Sequence, residues 1–436
     1  MFLIYFPLAG MPGCHSSGLT KVSDAIKAAC PINAHTKSIG NIMKILIIGG
    51  GLLGLSSAKV LLERGHDVEV LEANNGVGLE TSFANGGDLG AIGSGPWNTP
   101  IFGKKSKKIQ PVAAKNKPTE NTVSLFDACS PVQVQPRVIP SMMVWGLKFL
   151  RSCTQASIDN ALHANYQLGV YSQQKINLLR ETTNLTYDAG SDGTLKLFRD
   201  EAAMASSIAM LKTMVAKGLK YRQLSADEAI TLEPKLASIR GQFVGAVHLC
   251  DDERGDAHLF CGELAKIIKA QGGVIRSGIA VTNLVKKGRR VVGANTDQGF
   301  ISADRVIVAA GSSSAKLVKT VGISLPIMPV KGHSLTLHMA GATQMPNIPV
   351  VDAANFGMVT PLGDRLRVAG LVDFSGFNKD VKPAAIDNLY KLLAALYPNI
   401  AENVDRSTAQ NWAGLRPLSA DGKPFIGQSK LEGLFL

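Results

Sequence analysis

The chain has 436 residues, with 46 Lys and Arg against 34 Asp and Glu, for a formal net charge of +12. This length allows large cores and excludes a small disulfide-stapled fold, while 45% apolar and 18% charged residues exclude a disordered or collagen-like chain. The cationic excess suits nucleic acid, an anionic membrane or an acidic ligand. Six lysines crowd residues 104–117 (Lys104, Lys105, Lys107, Lys108, Lys115, Lys117) with no aromatic between them, so no nucleic-acid partner is expected. The cluster reads as a solvated loop or a contact with anionic lipid.

Cys14, Cys30, Cys129, Cys153, Cys250 and Cys261 lie far apart, with no CxxC pair and no Cys/His group at zinc spacing. Reduced thiols, no metal site and a cytoplasmic location follow as expectations, with peripheral contact to the inner face of the cell membrane as an extension. No apolar run reaches the roughly 18 residues of a membrane span. Residues 2–9 are apolar but broken by Pro7 and lack a preceding positive charge, which makes a poor signal peptide. Residues 1–42 are expected to be an extension outside the fold, with Met43 as the natural start.

Residues 44–48 are wholly apolar after Lys44, as in a buried parallel strand, and a glycine run breaks them at 49–51. Leu52, Leu55, Ala58, Leu61 and Leu62 then recur at helical spacing up to Gly65, and residues 68–71 supply a second strand. This is a βαβ unit. Residues 72–140 are irregular, residues 141–183 carry helical periodicity, and strands are expected over 194–198 and 243–249. Ser225 and Glu228 make a capping box for a helix to 233, and Asp256 caps another that stops at Gly272. Short strands follow at 274–276, 280–285, 291–296 and 305–311, then a helix over 313–321. Strands of about five residues recur to Leu371, and Pro383 opens an amphipathic helix to Tyr397.

Gly49-x-Gly51-x-x-Gly54 follows a strand and opens a helix, and Glu72 ends the next strand. In that context Gly49 permits the tight turn, Gly51 lets main chain approach a pyrophosphate, and Gly54 allows close helix-to-strand packing. The helix N-terminus meets the negative charge. Leu52 and Leu53 open that helix. The Glu72 carboxylate would accept from ribose hydroxyls; a solvated strand end is the plainer alternative.

Beyond Glu72, the run Gly76-x-Gly78-Leu79-Glu80-Thr81-Ser82-x-Ala84-Asn85-Gly86-Gly87 resembles FAD-dependent D-amino acid dehydrogenases of the small-subunit type, within the D-amino acid oxidase and glycine oxidase flavoproteins. Asp252-Glu253-x-Gly255-Asp256, Pro329-Val330-Lys331-Gly332-His333-Ser334-Leu335 and Trp412-Ala413-Gly414-Leu415-Arg416-Pro417 fall in that family's order, and the likeness runs from Met43 to Leu436.

The resemblance implies an α/β fold: a Rossmann-like FAD-binding domain with an inserted, strand-rich α+β substrate domain. The expected division places 43–87, 225–325 and 405–436 in the first and 88–224 and 326–404 in the second. It implies FAD as cofactor, and oxidation of D-amino acids to 2-oxo acids and ammonia by hydride transfer. Electrons would pass to a quinone or other respiratory carrier. A glycine or sarcosine oxidase using oxygen, and a non-catalytic flavoprotein, are the alternatives. By resemblance Arg416 binds the substrate carboxylate, a surface ion pair being the plainer reading. Ser82 and Asn85 lie on the path to the flavin, Val281 beside the adenine and Gly311 near the cofactor. His333 stands where the family often has tyrosine, as a pocket residue or a structural one. The family also continues past residue 436 with a glycine-rich segment and a helix facing the flavin. The sequence is accordingly expected to be a fragment, or else the chain holds FAD weakly.

Overall fold

The computed structural model describes residues 41–92, 97, 132–339 and 345–436. The lysine cluster, Cys14, Cys30, Cys129 and nearly all of the 1–42 extension lie outside the described residues. Strand β1 (Lys44–Ile48), helix α1 (Leu52–Glu63) and β2 (Asp67–Glu72) come first, followed by β3 (Val132–Val134), α2 (Ile139–Ser152), α3 (Gln155–Thr182), β4 (Thr194–Phe198) and α4 (Glu201–Val215). Then come β5 (Tyr221–Ser225), α5 (Ala226–Leu232), β6 (Gly245–Leu249), α6 (Ala257–Ala270), β7 (Val274–Ser277), β8 (Val281–Lys287), β9 (Arg290–Thr296), β10 (Gly299–Ser302), β11 (Arg305–Val308) and α7 (Ser314–Lys319). The chain ends with β12 (Ile327–His338), β13 (Val350–Asp352), β14 (Gly357–Leu362), β15 (Arg365–Phe374), α8 (Pro383–Leu396), α9 (Pro398–Asn403), β16 (Gln410–Ser419) and β17 (Leu434–Phe435).

The chain forms two compact units. The first takes the described residues up to Val77 with Cys261–Leu325 and Lys423–Leu436. Its parallel sheet runs β17-β11-β1-β2-β7, and a second, antiparallel sheet runs β10-β9-β8. β1 is central because Leu46 and Ile47 are buried on both faces, and Leu46, Ile48, Val306, Val308, Val318 and Leu434 share one core.

The second unit takes Gly78–Phe260 and Pro326–Gly422. Its sheet runs β16-β12-β15-β14-β13-β4-β6-β5, with β3 pairing β15. Alternation assigns its two faces. Leu335, Leu337, Val359, Leu366 and Val368 face α8, packing on Leu389, Leu393 and Leu396. The opposite face carries Ser334, Thr336, Thr360, Arg367 and Arg416, as the pairs Thr336↔Arg367, Thr360↔Arg367 and Val330↔Arg416 require.

The expected boundaries differ from this division. Residues 225–260 belong with the large sheet because β6 pairs both β4 and β5, and residues 405–422 belong there because β16 pairs β12 along ten residues. The strands before Leu371 are also longer than expected, at 12 residues in β12 and 10 in β15. The capping box at Ser225 and Glu228 forms, and the Asp256 carboxylate accepts from the His258 and Leu259 main-chain N–H groups as a helix cap. Among the described residues no helix is long and apolar enough to cross a membrane.

Candidate functional site

In the first unit, β1 lies between β2 and β11 in the parallel sheet. The crevice past the carboxyl ends of β1 and β11 is where such sheets take nucleotides. Glycines make it narrow. A Cβ on Gly54 would fall on the Gly49 carbonyl oxygen, and one on Gly49, whose φ is +113°, would fall on the Ala309 carbonyl. Helix α1 begins at Gly51 with no side-chain cap and no acidic residue in its first turn, which leaves its positive end suited to an anion. Leu52 is buried, and Leu53 is 43% exposed.

Glu72 is buried at the end of β2 rather than solvated. One carboxylate oxygen accepts from the Gly50 N–H at 2.8 Å, and the other from the main-chain and side-chain N–H groups of Asn74, both at 2.8 Å. It thereby ties the glycine turn to the strand beside it, a structural task that sequence spacing alone does not reveal. Gly311 follows β11 with φ +54° and open space where a Cβ would stand, while Val281 starts β8, half-buried at a register shift against β9. A close-packed glycine turn, open space at Gly311, a helix end without a side-chain cap and a buried acid at the second strand end together fit the ADP part of FAD.

In the second unit, residues 81–87 run over the polar face of the large sheet, and three successive carbonyls are held there. Ser334 Oγ donates to Ala84 O at 2.6 Å, Arg367 Nη1 to Asn85 O at 2.9 Å, and Thr360 Oγ1 to Gly86 O at 2.7 Å. A trans peptide aims its N–H opposite its C=O, so the Asn85 and Gly86 N–H groups face away from the sheet. The Asn85 side chain accepts from the Gly87 N–H, Thr81 Oγ1 donates to Leu415 O, and Ser82 is half-buried. These anchors explain why Ser82 and Asn85 belong to this unit and not to the expected cofactor domain. Arg367 is itself held by Asp256, which also pairs with Arg365, and Arg365 pairs with Asp188. Burial lowers the Arg367 pKa against these acids.

Arg416 stands on the same face. Its guanidinium lies over Gly332, and Nη1 donates to Leu371 O at 3.2 Å. Leu371 sits at a β-bulge, two residues opposing one between the pairs Lys331↔Asp373 and His333↔Gly370, and its φ is +63°. That left-handed residue turns its carbonyl to the guanidinium. Among the described residues Arg416 has no acidic partner, and burial alone lowers its pKa. It is a crowded cation with its fork open, not a surface ion pair.

His333 does not join it. Alternation along β12 puts Gly332 on the Arg416 face and His333 on the other, where His333 borders a cavity of about 30 Å³ with Gln133, Asp373 and Lys382. Burial and the nearby Lys331 push its pKa down to about 4. Lys331, fully buried, pairs with Asp373 at 3.2 Å and donates to Asp380 O at 3.1 Å. His333 thus stands on the face of β12 away from Arg416. Ser334, Thr360 and Arg367 were missed in the sequence; their signal is a polar residue recurring on one face of otherwise apolar strands.

The family model described as FAD dependent oxidoreductase matches residues 44–436. The chain belongs to this family of FAD-dependent oxidoreductases. It is 34% identical over 394 residues to the D-amino acid dehydrogenase of Allorhizobium ampelinum, covering 90% of this chain and 89% of the relative. It is 36% identical over 394 residues to that of Rhizobium rhizogenes, covering 90% of each. In fold it is similar to glycine oxidase from Geobacillus kaustophilus, with a TM-score of 0.67 at 22% identity over 91% of this chain and 88% of that one. The FAD-bound L-alpha-glycerophosphate oxidase of Mycoplasma pneumoniae shares the fold at a TM-score of 0.63 and 17% identity, over 91% of this chain and 89% of that one. The chain is therefore an FAD-dependent oxidoreductase with a Rossmann-like unit and a strand-rich second unit.

Proposed function

We propose that this chain oxidises D-amino acids to 2-oxo acids and ammonia, passing the electrons to a membrane-held quinone or similar carrier. Arg416 carries the reading: a crowded guanidinium without a carboxylate of its own among the described residues, in a chain whose curated relatives are named D-amino acid dehydrogenases. Such a cation is costly to leave unpaired, and a carboxylate offers it two parallel acceptors.

Gly49, Gly51, Leu52, Leu53 and Gly54, with Glu72, Val281 and Gly311, would hold the nucleotide end of FAD, and Ser82 and Asn85 are the second unit's candidates for cofactor contact. When bound, FAD supplies a two-electron acceptor for the hydrogen on the substrate α-carbon. The substrate gives up that hydrogen as hydride and a proton from its neutral amine. The resulting imino acid takes up water and loses ammonia, leaving the 2-oxo acid. Arg416 orients the substrate by its carboxylate, and a fixed orientation supplies much of the rate. The Leu371 carbonyl restrains the guanidinium, and Ser334, Thr360 and Arg367 keep the loop in place. No general base of the chain is needed.

The test is the visible spectrum of the purified chain before and after anaerobic addition of D-alanine. Flavin bands that bleach in the wild type, and persist in Arg416→Met at the same substrate concentration, are expected. A protein that stays colourless with FAD in excess overturns the reading. Bleaching by sarcosine but not D-alanine, with hydrogen peroxide released in air, moves the substrate class to secondary amines.

A further inference from the structure

Helix α2 is apolar on two opposite faces. One face is accounted for: Trp145 packs with Met328, Val330, Val372 and Ala420, its Nε1 donates to Leu418 O at 3.0 Å, and Ser152 Oγ donates to Ala420 O at 2.6 Å. The other face is in the open. Ile139, Met143, Leu147 and Leu150 recur at spacings of four, four and three residues, which makes one stripe at 3.6 residues per turn, and Val144 stands beside it. Their exposures are 45%, 63%, 56% and 56%, with 68% for Val144. The outward face of a surface helix ordinarily carries polar and charged residues, so five large apolar side chains on it need a partner.

The charges around the stripe say which. Arg137, Lys148 and Arg151 are all exposed, and no Asp or Glu occurs from 137 to 158. An isologous contact with a second copy would set these cations against their own images. A bilayer that carries negative headgroups satisfies both components at once, taking the apolar stripe at the acyl boundary and the cations among the phosphates.

We propose that α2 is a docking helix for an anionic lipid bilayer, entering with Met143, Val144, Leu147 and Leu150 and steered by Arg137, Lys148 and Arg151. It deepens the reading in which electrons leave to a membrane-held carrier, and names the surface that meets that membrane. The helix is anchored on β16 at Leu418, two residues beyond Arg416, so the docking helix packs on the strand that carries the substrate anchor.

The experiment is co-sedimentation of the holoenzyme with vesicles of phosphatidylcholine alone, or of phosphatidylcholine with one third phosphatidylglycerol. Three proteins are compared: the wild type, the Met143→Glu/Leu147→Glu variant and the Lys148→Glu/Arg151→Glu variant. The exposed positions leave both variants able to fold. Wild type is expected to pellet with the anionic vesicles only, and each variant to lose at least about tenfold in partitioning, with dye-linked D-alanine oxidation in solution unchanged. Vesicle binding equal in wild type and variants overturns the proposal, as does a wild type that binds no vesicle. A solution dimer that Met143→Glu/Leu147→Glu dissolves, without vesicle binding, overturns it in favour of self-association. Failure of D-alanine oxidation in the wild type speaks against the oxidation reading alone, since sedimentation does not depend on it.

Discussion

Arg416 rests on Gly332. A Cβ at position 332 would stand 2.5 Å from Nη2 and 2.6 Å from Cζ of that guanidinium, so the glycine is required by its neighbour on the adjacent strand and not by its own backbone. Gly332→Ala is expected to lift the guanidinium off the sheet while the nucleotide turn, in the other unit, is untouched. The measurement is kcat/KM for D-alanine, with the flavin spectrum as control. A fall of about ten- to hundredfold, the range of a charge-assisted hydrogen bond, with flavin bands retained, is the expected outcome.

Glu72 accepts three hydrogen bonds from protein before any ligand is considered. Glu72→Gln keeps the shape but turns one acceptor into a donor facing the Gly50 N–H. FAD affinity, read by titrating apoprotein and following flavin fluorescence, is expected to weaken about tenfold or more. The apoprotein itself is expected to melt lower, which separates this acid from one that touches only the ligand.

His333 predicts a pH dependence of stability. Its pKa falls from 6.5 to about 4 on folding, chiefly through burial, so the unfolded chain binds more protons than the folded one between those values. The stability that the neutral ring contributes is full above pH 6.5 and is lost as pH drops towards 4. The loss amounts to about 3 kcal/mol at one pH unit per 1.36 kcal/mol. Urea unfolding at pH 7 and pH 4 is expected to show that much less loss in His333→Leu than in wild type.

The opposite sign holds at Asp252, whose carboxyl is held well above its ordinary range by burial and then by the neighbouring Asp88. Burial raises Asp88 as well. Folding therefore favours protonated carboxyls here, and the pair costs stability as pH rises past the ordinary carboxylate range. Asp252→Asn is expected to gain about 1 kcal/mol or more at pH 8 and to gain nothing near pH 3, as followed by thermal melts across that span.

The nucleotide unit was legible because its signals are local. Strand, glycine turn, helix and acid lie within residues 44–72, where apolar runs and the Gly49, Gly51 and Gly54 spacing state the geometry directly. The large sheet was not. Its pairs join Val350 to Leu195 and Val372 to Val132, and no periodicity within one strand announces a partner 150 or more residues away. That is why the expected bounds at residues 225–260 and 405–422 differ from the observed division. Arg416 was legible from resemblance, but the face on which His333 stands depended on strand alternation that only the register of β12 with β16 displays. Leu371 gave no signal at all, since a leucine in an apolar strand carries no mark of a left-handed backbone.

The three side chains that hold the Ala84, Asn85 and Gly86 carbonyls bond to main chain, and main chain is common to every residue type. The route of the loop is thus written in the sheet beneath it. A change at Ser334, Thr360 or Arg367 therefore moves the loop although none of the three lies on it. A library meant to alter what this enzyme accepts should leave the three anchors alone.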